Sequence, residues 1–217
     1  LSHRGIGGSS SAMVINKSKW GNAVDVYNSC VDALEGKPYK EKKKNSRMEE
    51  GTKAEDLIRQ LFALEHPELK VIAPPKRKFW QFRRIDFPLL TLTPDGLVKD
   101  LNTKLNFGLE IKDVELIKRE DKDNWLSGNL PNQYYCQGLH YMIVKNDLDG
   151  VIFVARLKFM IKDDLLDKWV LDHTEDRVFW LYRKDVENDI KWLESKEIAL
   201  IENIQRHDLN PIEEAQG

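Results

Sequence analysis

Cysteine is scarce in this 217-residue chain, and long hydrophobic runs are absent. The two cysteines, Cys30 and Cys136, are too few for a disulfide framework or for a four-cysteine metal or iron–sulfur site, which predicts a reduced, cytosolic protein. The longest unbroken apolar stretches, such as Val151–Ala155, are far shorter than the roughly 20 residues that a membrane-spanning helix needs. We therefore expect no membrane association and a cytoplasmic location.

Net charge is also small, at −2, so it neither favours nor excludes a polyanionic partner. Charged residues make up 32% of the chain and hydrophobic residues 41%, which argues against disorder and is enough apolar material for a core. Basic residues are concentrated in two segments, Lys37–Arg47 and Lys76–Arg84. Such segments can produce a local positive field, although a charge run is more often a solvated loop or an edge strand.

The order of the predicted elements indicates an α/β fold in which helices flank a central mixed β-sheet. We expect one domain over residues 1–217, in which an N-terminal helical segment covers about 1–66. A sheet core of about 69–183 follows, interrupted by a polar connector at about 114–129 and by a helix after it. A long C-terminal helix is expected at about 186–204.

A Thr-Pro-Asp-Gly turn containing Asp95 precedes a predicted strand with the sequence Glu110-Ile111-Lys112. Alternate side chains of a strand share a face, so Glu110 and Lys112 point the same way while Ile111 enters the core. If the strand after the turn pairs with this one, Asp95 and Glu110 converge. Two convergent carboxylates supply the hard oxygen ligands that Mg²⁺ or Mn²⁺ prefers, and a neighbouring lysine can orient a water or offset developing charge. The combination predicts phosphate-ester hydrolysis, although each motif alone is more often an ordinary ion pair or turn.

Two further polar residues lie on the inward faces of predicted helices. Glu55 shares a stripe with Ile58 and Phe62 at helical spacing, and Gln137 shares one with the aromatic residue Tyr134. Taken singly, such an acid or amide is more often a structural group with a buried hydrogen-bond partner. In combination with the turn and strand motifs, the two residues favour a metal site.

The motifs R-G-I-G-G-S, G-x-x-x-E, T-P-D-G, L-E-I-K and Y-Y-x-Q-G-L-H-Y occur in this order along the chain. As an ordered set they resemble those of the YqaJ-like viral recombinases, which are related to phage lambda exonuclease within the PD-(D/E)XK nuclease superfamily. The resemblance covers about residues 4–157, and no single motif carries it. It implies a PD-(D/E)XK core, the restriction-endonuclease-like fold.

The resemblance also implies roles for the residues of the turn and the strand. Asp95 and Glu110 would bind the metal ions, with assistance from the carbonyl of Ile111. Lys112 would be the catalytic lysine. The implied cofactor is Mg²⁺ or Mn²⁺, with two ions expected.

Further roles are implied for residues of the helices and of the glycine-rich opening. Glu55 would help to hold the site, and Gln137 would complete it. The opening would contact DNA, with Ser9 near the 5′-phosphate and Arg4 as the candidate phosphate-binding arginine, and Tyr134 is also expected to contact DNA. By its composition alone, the opening could equally be a flexible linker.

The function that the resemblance implies is a metal-dependent exonuclease of phage or prophage recombination, which resects double-stranded DNA from a 5′ end in a bacterial host cell. The implied partners are double-stranded DNA ends, a single-strand annealing protein and further copies of the chain in a ring-shaped trimer. Two alternatives stay open. An endonuclease or resolvase on the same fold would cut covalently closed circular DNA, and a non-catalytic DNA-binding module would bind DNA without turnover.

Overall fold

The computed structural model describes residues 5–37, 46–75 and 80–206, and only the backbone of residues 46–52. The helices in these ranges are α1 (Ser11–Val14), α2 (Ala23–Leu34), α3 (Ser46–Glu65), α4 (Arg119–Leu126), α5 (Asn132–Val144) and α6 (Glu187–Arg206). The strands are β1 (Leu69–Ile72), β2 (Phe82–Arg83), β3 (Thr91–Leu92), β4 (Gly96–Asp100), β5 (Asn106–Leu116), β6 (Gly150–Asp163) and β7 (Lys168–Tyr182). No helix in the described ranges is long and apolar enough to cross a membrane.

Five strands form one mixed sheet in the order β1-β4-β5-β6-β7, and β2 and β3 form a separate two-stranded sheet. Strands β5 and β6 are parallel because α4 and α5 carry the chain back between them, whereas the other neighbours in the main sheet are antiparallel. The expected mixed sheet flanked by helices is therefore confirmed. That residues 1–217 form one domain stays a prediction.

Strand β5 lies in the middle of the main sheet and is covered on both faces. Its residues Leu109 and Ile111 are buried against Ile58 and Phe62 of α3. Because side chains alternate along a strand, Glu110 points to the opposite face, where α5 lies. Glu110 and Lys112 are therefore on the α5 side of the sheet, whereas Glu55 comes from α3 on the other side.

Helix α5 is enclosed by the sheet on one side and by α6 and the N-terminal segment on the others. Every residue from Cys136 to Val144 is buried, as expected for a helix with neighbours all round. Pro131 precedes the helix, at a position where its fixed φ and missing N–H cause no loss. A helix so enclosed presents its side chains from a fixed position.

The prediction of a polar connector at about residues 114–129 is wrong in part. Strand β5 continues through Leu116, and α4 occupies the middle of the segment. Leu116 and Trp125 are buried in one apolar cluster with residues of β6. The buried Trp125 thus packs α4 against the sheet, although most other residues of this helix are polar.

Candidate metal centre

The pairing of β4 with β5 places the Asp95 turn beside the Glu110 strand, as the spacing of the two motifs predicts. Gly96 is opposite Leu109 in the antiparallel ladder, and the N–H of Asp95 donates to the carbonyl of Leu109 at 3.1 Å. The N–H of Ile111 donates to Asp95 Oδ2 at 2.7 Å. The carboxylate of Asp95 therefore lies over the backbone of the residue that follows Glu110.

Glu110 is buried and accepts hydrogen bonds from three side chains. Lys112 Nζ lies 2.5 Å and Gln137 Nε2 2.7 Å from Glu110 Oε1, and the Tyr141 hydroxyl donates to Oε2. Burial, with a contribution from the Glu110 charge, raises the pKa of Tyr141 well above its usual value, so the hydroxyl keeps the proton that it donates. Two elements, β5 and α5, thus fix the orientation of one carboxylate.

Three acids share this region. Burial, followed by the charge of Glu110, raises the pKa of Asp95 well above its ordinary value, against the lowering effect of the Ile111 N–H. Glu55 on α3 is about half buried, and burial followed by the charge of Glu110 raises its pKa as well. Such mutual repulsion is the electrostatic condition that a bound cation relieves.

Lys112 is the cation that contacts Glu110 directly. Burial by itself lowers the pKa of Lys112, but the charge of Glu110 and its hydrogen bond outweigh burial, and the net pKa is raised. The ammonium also lies 4.9 Å from the centre of the Tyr134 ring, within the range of a cation–π contact. Beyond Tyr134 a cavity of about 580 Å³ continues along β5, with Trp20 and Trp125 in its lining.

The glycine-rich opening lies against the same α5 face. Ile6 forms a parallel bridge with Leu90 beside β3, and its carbonyl accepts a 2.9 Å hydrogen bond from the N–H of Thr91. A Cβ on Gly8 would lie 3.0 Å from Gln137 Cγ, so the backbone packs directly on a partner of Glu110. Ser9, in the 3-10 turn Gly8–Ser10, is exposed.

Not every expected DNA contact lies in the described part of the chain. Arg4 is outside the described residues, as are residues 38–45 of the first basic segment and 76–79 of the second. In the described end of the second segment, Trp80 Nε1 donates to the carbonyl of Pro94 at 3.0 Å. Trp80 therefore supports the turn that carries Asp95.

Sequence patterns did not identify several contacts at the site. Arg59 Nε donates to the carbonyl of Asp95 at 2.8 Å; the only available signal was its position one helical turn after Glu55. Tyr141 lies one turn after Gln137, so its direction could be predicted but its bond to Glu110 could not. Both donors come from helices that lie far from their acceptors in sequence.

The donor set is chemically suited to a hard divalent cation, although it contains few protein ligands. Within the described ranges, no group of three or more histidine, cysteine, aspartate or glutamate residues is arranged to hold a metal ion. The available oxygens are those of the Asp95 and Glu110 carboxylates and the neighbouring Ile111 carbonyl. Mg²⁺ usually keeps several waters and binds through one or two carboxylates, so the residues present fit such an ion.

The chain resembles known proteins in both sequence and fold. A family model described as YqaJ-like viral recombinase domain matches residues 2–147, whereas no curated protein matches significantly. The crystal structure of LHK-Exo, an alkaline exonuclease from Laribacter hongkongensis, has a TM-score of 0.58 and 16% identity, covering 93% of this chain and 90% of that one. The structure of LHK-Exo in complex with dAMP has the same TM-score and coverage, with 17% identity. At these identities the structural likeness shows a common fold.

Proposed function

The chain belongs to the YqaJ-like viral recombinase family, as its ordered motifs predict, and from this premise we propose that it is a metal-dependent deoxyribonuclease with a PD-(D/E)XK core. In our proposal it is a phage-type exonuclease that resects linear double-stranded DNA from a 5′ end. The observation that carries the proposal is the convergence of Asp95 with the Glu110–Lys112 pair at the junction of β4 and β5.

Asp95, Glu110 and the carbonyl of Ile111 would hold Mg²⁺ or Mn²⁺, and we expect two ions. A bound divalent cation supplies stabilisation of charge on a phosphodiester and a more acidic water. Gln137 supports this ligand set because it holds one oxygen of Glu110 in place. Glu55 contributes further negative charge from α3 and would help to hold the site.

Lys112 is the residue that we assign to the chemical step. Its ammonium is fixed between Glu110 and the Tyr134 ring, so it can orient the attacking water and offset negative charge that develops on the phosphate oxygens. In the hydrolysis, the water oxygen bonds to phosphorus while one phosphorus–oxygen ester bond breaks. The leaving oxygen then takes up a proton.

The glycine-rich opening and Tyr134 are the DNA contacts of this proposal. Backbone N–H groups near Gly8 can approach a phosphate closely because no side chain intervenes, and the exposed hydroxyl of Ser9 would donate to the 5′-phosphate. Arg4 is proposed as the cationic partner of that phosphate. Tyr134 would contact the strand next to Lys112, where the cavity begins.

We further infer a cytoplasmic location in a bacterial host and two kinds of protein partner, on the basis of the recombinase family. One is a single-strand annealing protein that receives the resected strand, and the other is the chain itself in a ring-shaped trimer. Light scattering on the purified protein, with a threefold multiple of 25.3 kDa expected, tests the trimer. A monomer at micromolar concentration would contradict it.

Degradation of defined DNA substrates tests the activity. Linear duplexes with a 5′-phosphate should be degraded in Mg²⁺, more slowly without the phosphate, and not at all in EDTA. Covalently closed circular DNA should stay intact. Cleavage of the circle would indicate an endonuclease or resolvase, and salt-dependent binding without turnover in Mg²⁺ or Mn²⁺ would indicate a non-catalytic module.

A further inference from the structure

One face of α5 contacts two different parts of the candidate site. Gln137, His140 and Tyr141 follow the i, i+3, i+4 spacing that puts side chains on one helix face. Gln137 and Tyr141 donate to the carboxylate on β5. His140 instead contacts β3, the strand against which the glycine-rich opening is bound.

His140 has hydrogen-bond acceptors at both ring nitrogens. Its Nδ1 lies 2.8 Å from Glu197 Oε1, and its Nε2 lies 2.9 Å from the carbonyl oxygen of Thr91. A neutral imidazole carries only one N–H, so two groups that can only accept are satisfied only when both nitrogens are protonated. An imidazolium facing the Glu197 carboxylate satisfies both contacts, as does a neutral His140 that accepts from a protonated Glu197. In either state Nε2–H donates to the carbonyl of Thr91.

The pair has no contact with solvent. His140 and Glu197 are both 0% exposed; Glu197 Oε1 is bound to His140, whereas Oε2 is buried with no hydrogen-bond partner among the described residues. Glu197 comes from α6, so three elements meet at this point: α5, α6 and β3. Apolar residues at these two positions would avoid the cost of burying polar groups, but they could not donate to the carbonyl of Thr91.

Thr91 connects this pair to the opening of the chain. Its carbonyl accepts from His140, while its N–H donates to the carbonyl of Ile6 at 2.9 Å. The side chain of Ile6 is completely buried, and the next residues, Gly7 and Gly8, lead onto the α5 face beside Gln137. The position of the opening therefore depends on where β3 lies.

The metal ligands are held by other contacts. The backbone of Asp95 is bound by Leu109 and by Arg59, and its carboxylate is bound by the N–H of Ile111. Glu110 is held by its own three donors. Loss of the bond between His140 and Thr91 should therefore disturb the opening more than it disturbs these two carboxylates.

We propose that His140, held in place by Glu197, is a positioning residue that docks the glycine-rich opening, residues 5–10, beside the catalytic centre where it meets the DNA end. This inference rests on the proposed exonuclease function. It assigns to the buried pair an effect on binding of the DNA end, distinct from metal binding and from the chemical step.

The test uses the full chain and three variants. His140→Ala leaves Glu197 buried without a partner and could fail to fold, so the double variant His140→Leu/Glu197→Leu is measured beside it, because apolar replacement of a buried pair is often neutral or stabilising. Both remove the bond to Thr91. Glu197→Gln is the conservative variant: its amide can donate to Nδ1 of a neutral His140, which leaves the Nε2–H for Thr91.

For the double variant we expect KM for 5′-phosphorylated linear duplex to rise roughly 10-fold or more, while kcat and the Mn²⁺ affinity from calorimetry stay within about threefold of wild type. Fluorescence anisotropy in EDTA should show the same weakening of DNA-end binding. Glu197→Gln should stay close to wild type in all of these measurements. A fall in kcat with no rise in KM is the result expected if the variant merely has a smaller folded fraction. That result would overturn the proposal.

Hydrogen exchange gives a readout that is independent of activity. In the double variant, amides of residues 5–10 should exchange faster than in wild type, while those of β5 should be unchanged. Equal exchange in residues 5–10 would overturn the proposal. If wild type fails to degrade DNA, the proposed function is contradicted. If residues 5–10 still exchange faster in the double variant than in wild type, the docking role stands.

Discussion

The ring of Tyr141 lies directly on the backbone of Gly108. A Cβ placed on Gly108 would be 2.6 Å from Tyr141 Cδ2, which is much closer than nonbonded carbons can approach. Glu110, the next residue on the same face of β5, accepts a hydrogen bond from the hydroxyl of that ring. The absence of a side chain at Gly108 thus lets the Tyr141 ring pack against the strand, where its hydroxyl can donate to the Glu110 carboxylate.

We expect Gly108→Ala to lower kcat about 10-fold, because the added methyl group pushes the Tyr141 ring away from Glu110. Overpacking of this kind typically costs about 1–3 kcal/mol of stability, so thermal unfolding is measured in parallel. Tyr141→Phe keeps the ring and removes the donor. If Gly108 acts through this hydroxyl, kcat of the double variant Gly108→Ala/Tyr141→Phe should be little lower than that of Tyr141→Phe alone. A kcat reduced by the product of the two single-variant losses would contradict the explanation.

Asp95→Asn should stabilise the protein in EDTA while removing its response to metal. The neutral amide ends the repulsion with Glu110, and its oxygen can still accept from the N–H of Ile111. A gain of about 1 kcal/mol would raise the midpoint of thermal unfolding by roughly 2–4 °C for a chain of this size. Calorimetric scans in EDTA measure the gain in stability, and scans with Mn²⁺ measure the loss of the response to metal.

Wild type provides the comparison for Asp95→Asn. Its unfolding temperature should rise with Mn²⁺, because a ligand that binds only the folded state stabilises it by mass action. Lower stability of the variant in EDTA, or an equal rise with Mn²⁺ in both proteins, would contradict the view that repelling carboxylates form a cation site.

Local patterns were sufficient to predict the central part of the site. Alternation along β5 placed Glu110 and Lys112 on one face, and the turn before β4 placed Asp95 within reach, because both inferences concern neighbouring strands. The same reasoning could not predict the pairing of His140 with Glu197. Those residues belong to different helices, and only tertiary packing decides which buried polar groups meet.

Elements with few apolar residues were the other difficulty. Helix α4 has a single buried residue, Trp125, so its sequence looks like that of a loop. The partner that makes it a helix, the cluster containing Leu116, is formed by β5 and β6. Trp80 lies in a basic segment, and no local pattern could predict that its indole N–H donates to the carbonyl of Pro94.

Lys112→Met should lower kcat by about 10²–10³-fold, the loss seen when one donor to a developing oxyanion is removed. Methionine keeps much of the stem that packs on Tyr134 but has no charge. Because Lys112 is not a ligand, Mn²⁺ should still bind. Single-turnover degradation of linear duplex DNA measures the chemical step, and calorimetry measures the metal.

Two comparisons make the lysine assignment specific. Lys112→Arg keeps the charge but not the compact ammonium, so it should recover only part of the lost rate. Lys112→Met should also unfold at a lower temperature than wild type in EDTA, opposite to Asp95→Asn, because it removes the cation among the acids. Full activity of Lys112→Met would refute the assignment.

The buried pair of His140 and Glu197 should make stability depend on pH in a way that Glu197→Gln abolishes. Burial by itself lowers the pKa of His140, but the charge and hydrogen bond of Glu197 outweigh burial, so the pKa is raised. Stability from the imidazolium is fully present below the unfolded pKa of about 6.5 and is lost as pH rises through the folded pKa. Between these two pKa values, one proton changes the free energy of unfolding by about 1.4 kcal/mol per pH unit.

Urea unfolding at pH 6, 7.5 and 9 checks this prediction. The difference in free energy of unfolding between wild type and Glu197→Gln should be largest at pH 6 and should shrink as pH rises, because the variant holds a neutral His140. Burial raises the pKa of the neighbouring Cys136 to about 11 in the folded protein. Its titration in the unfolded chain is the same for both proteins and cancels in the difference. A difference that stays constant with pH would show that His140 carries no charge in the folded protein.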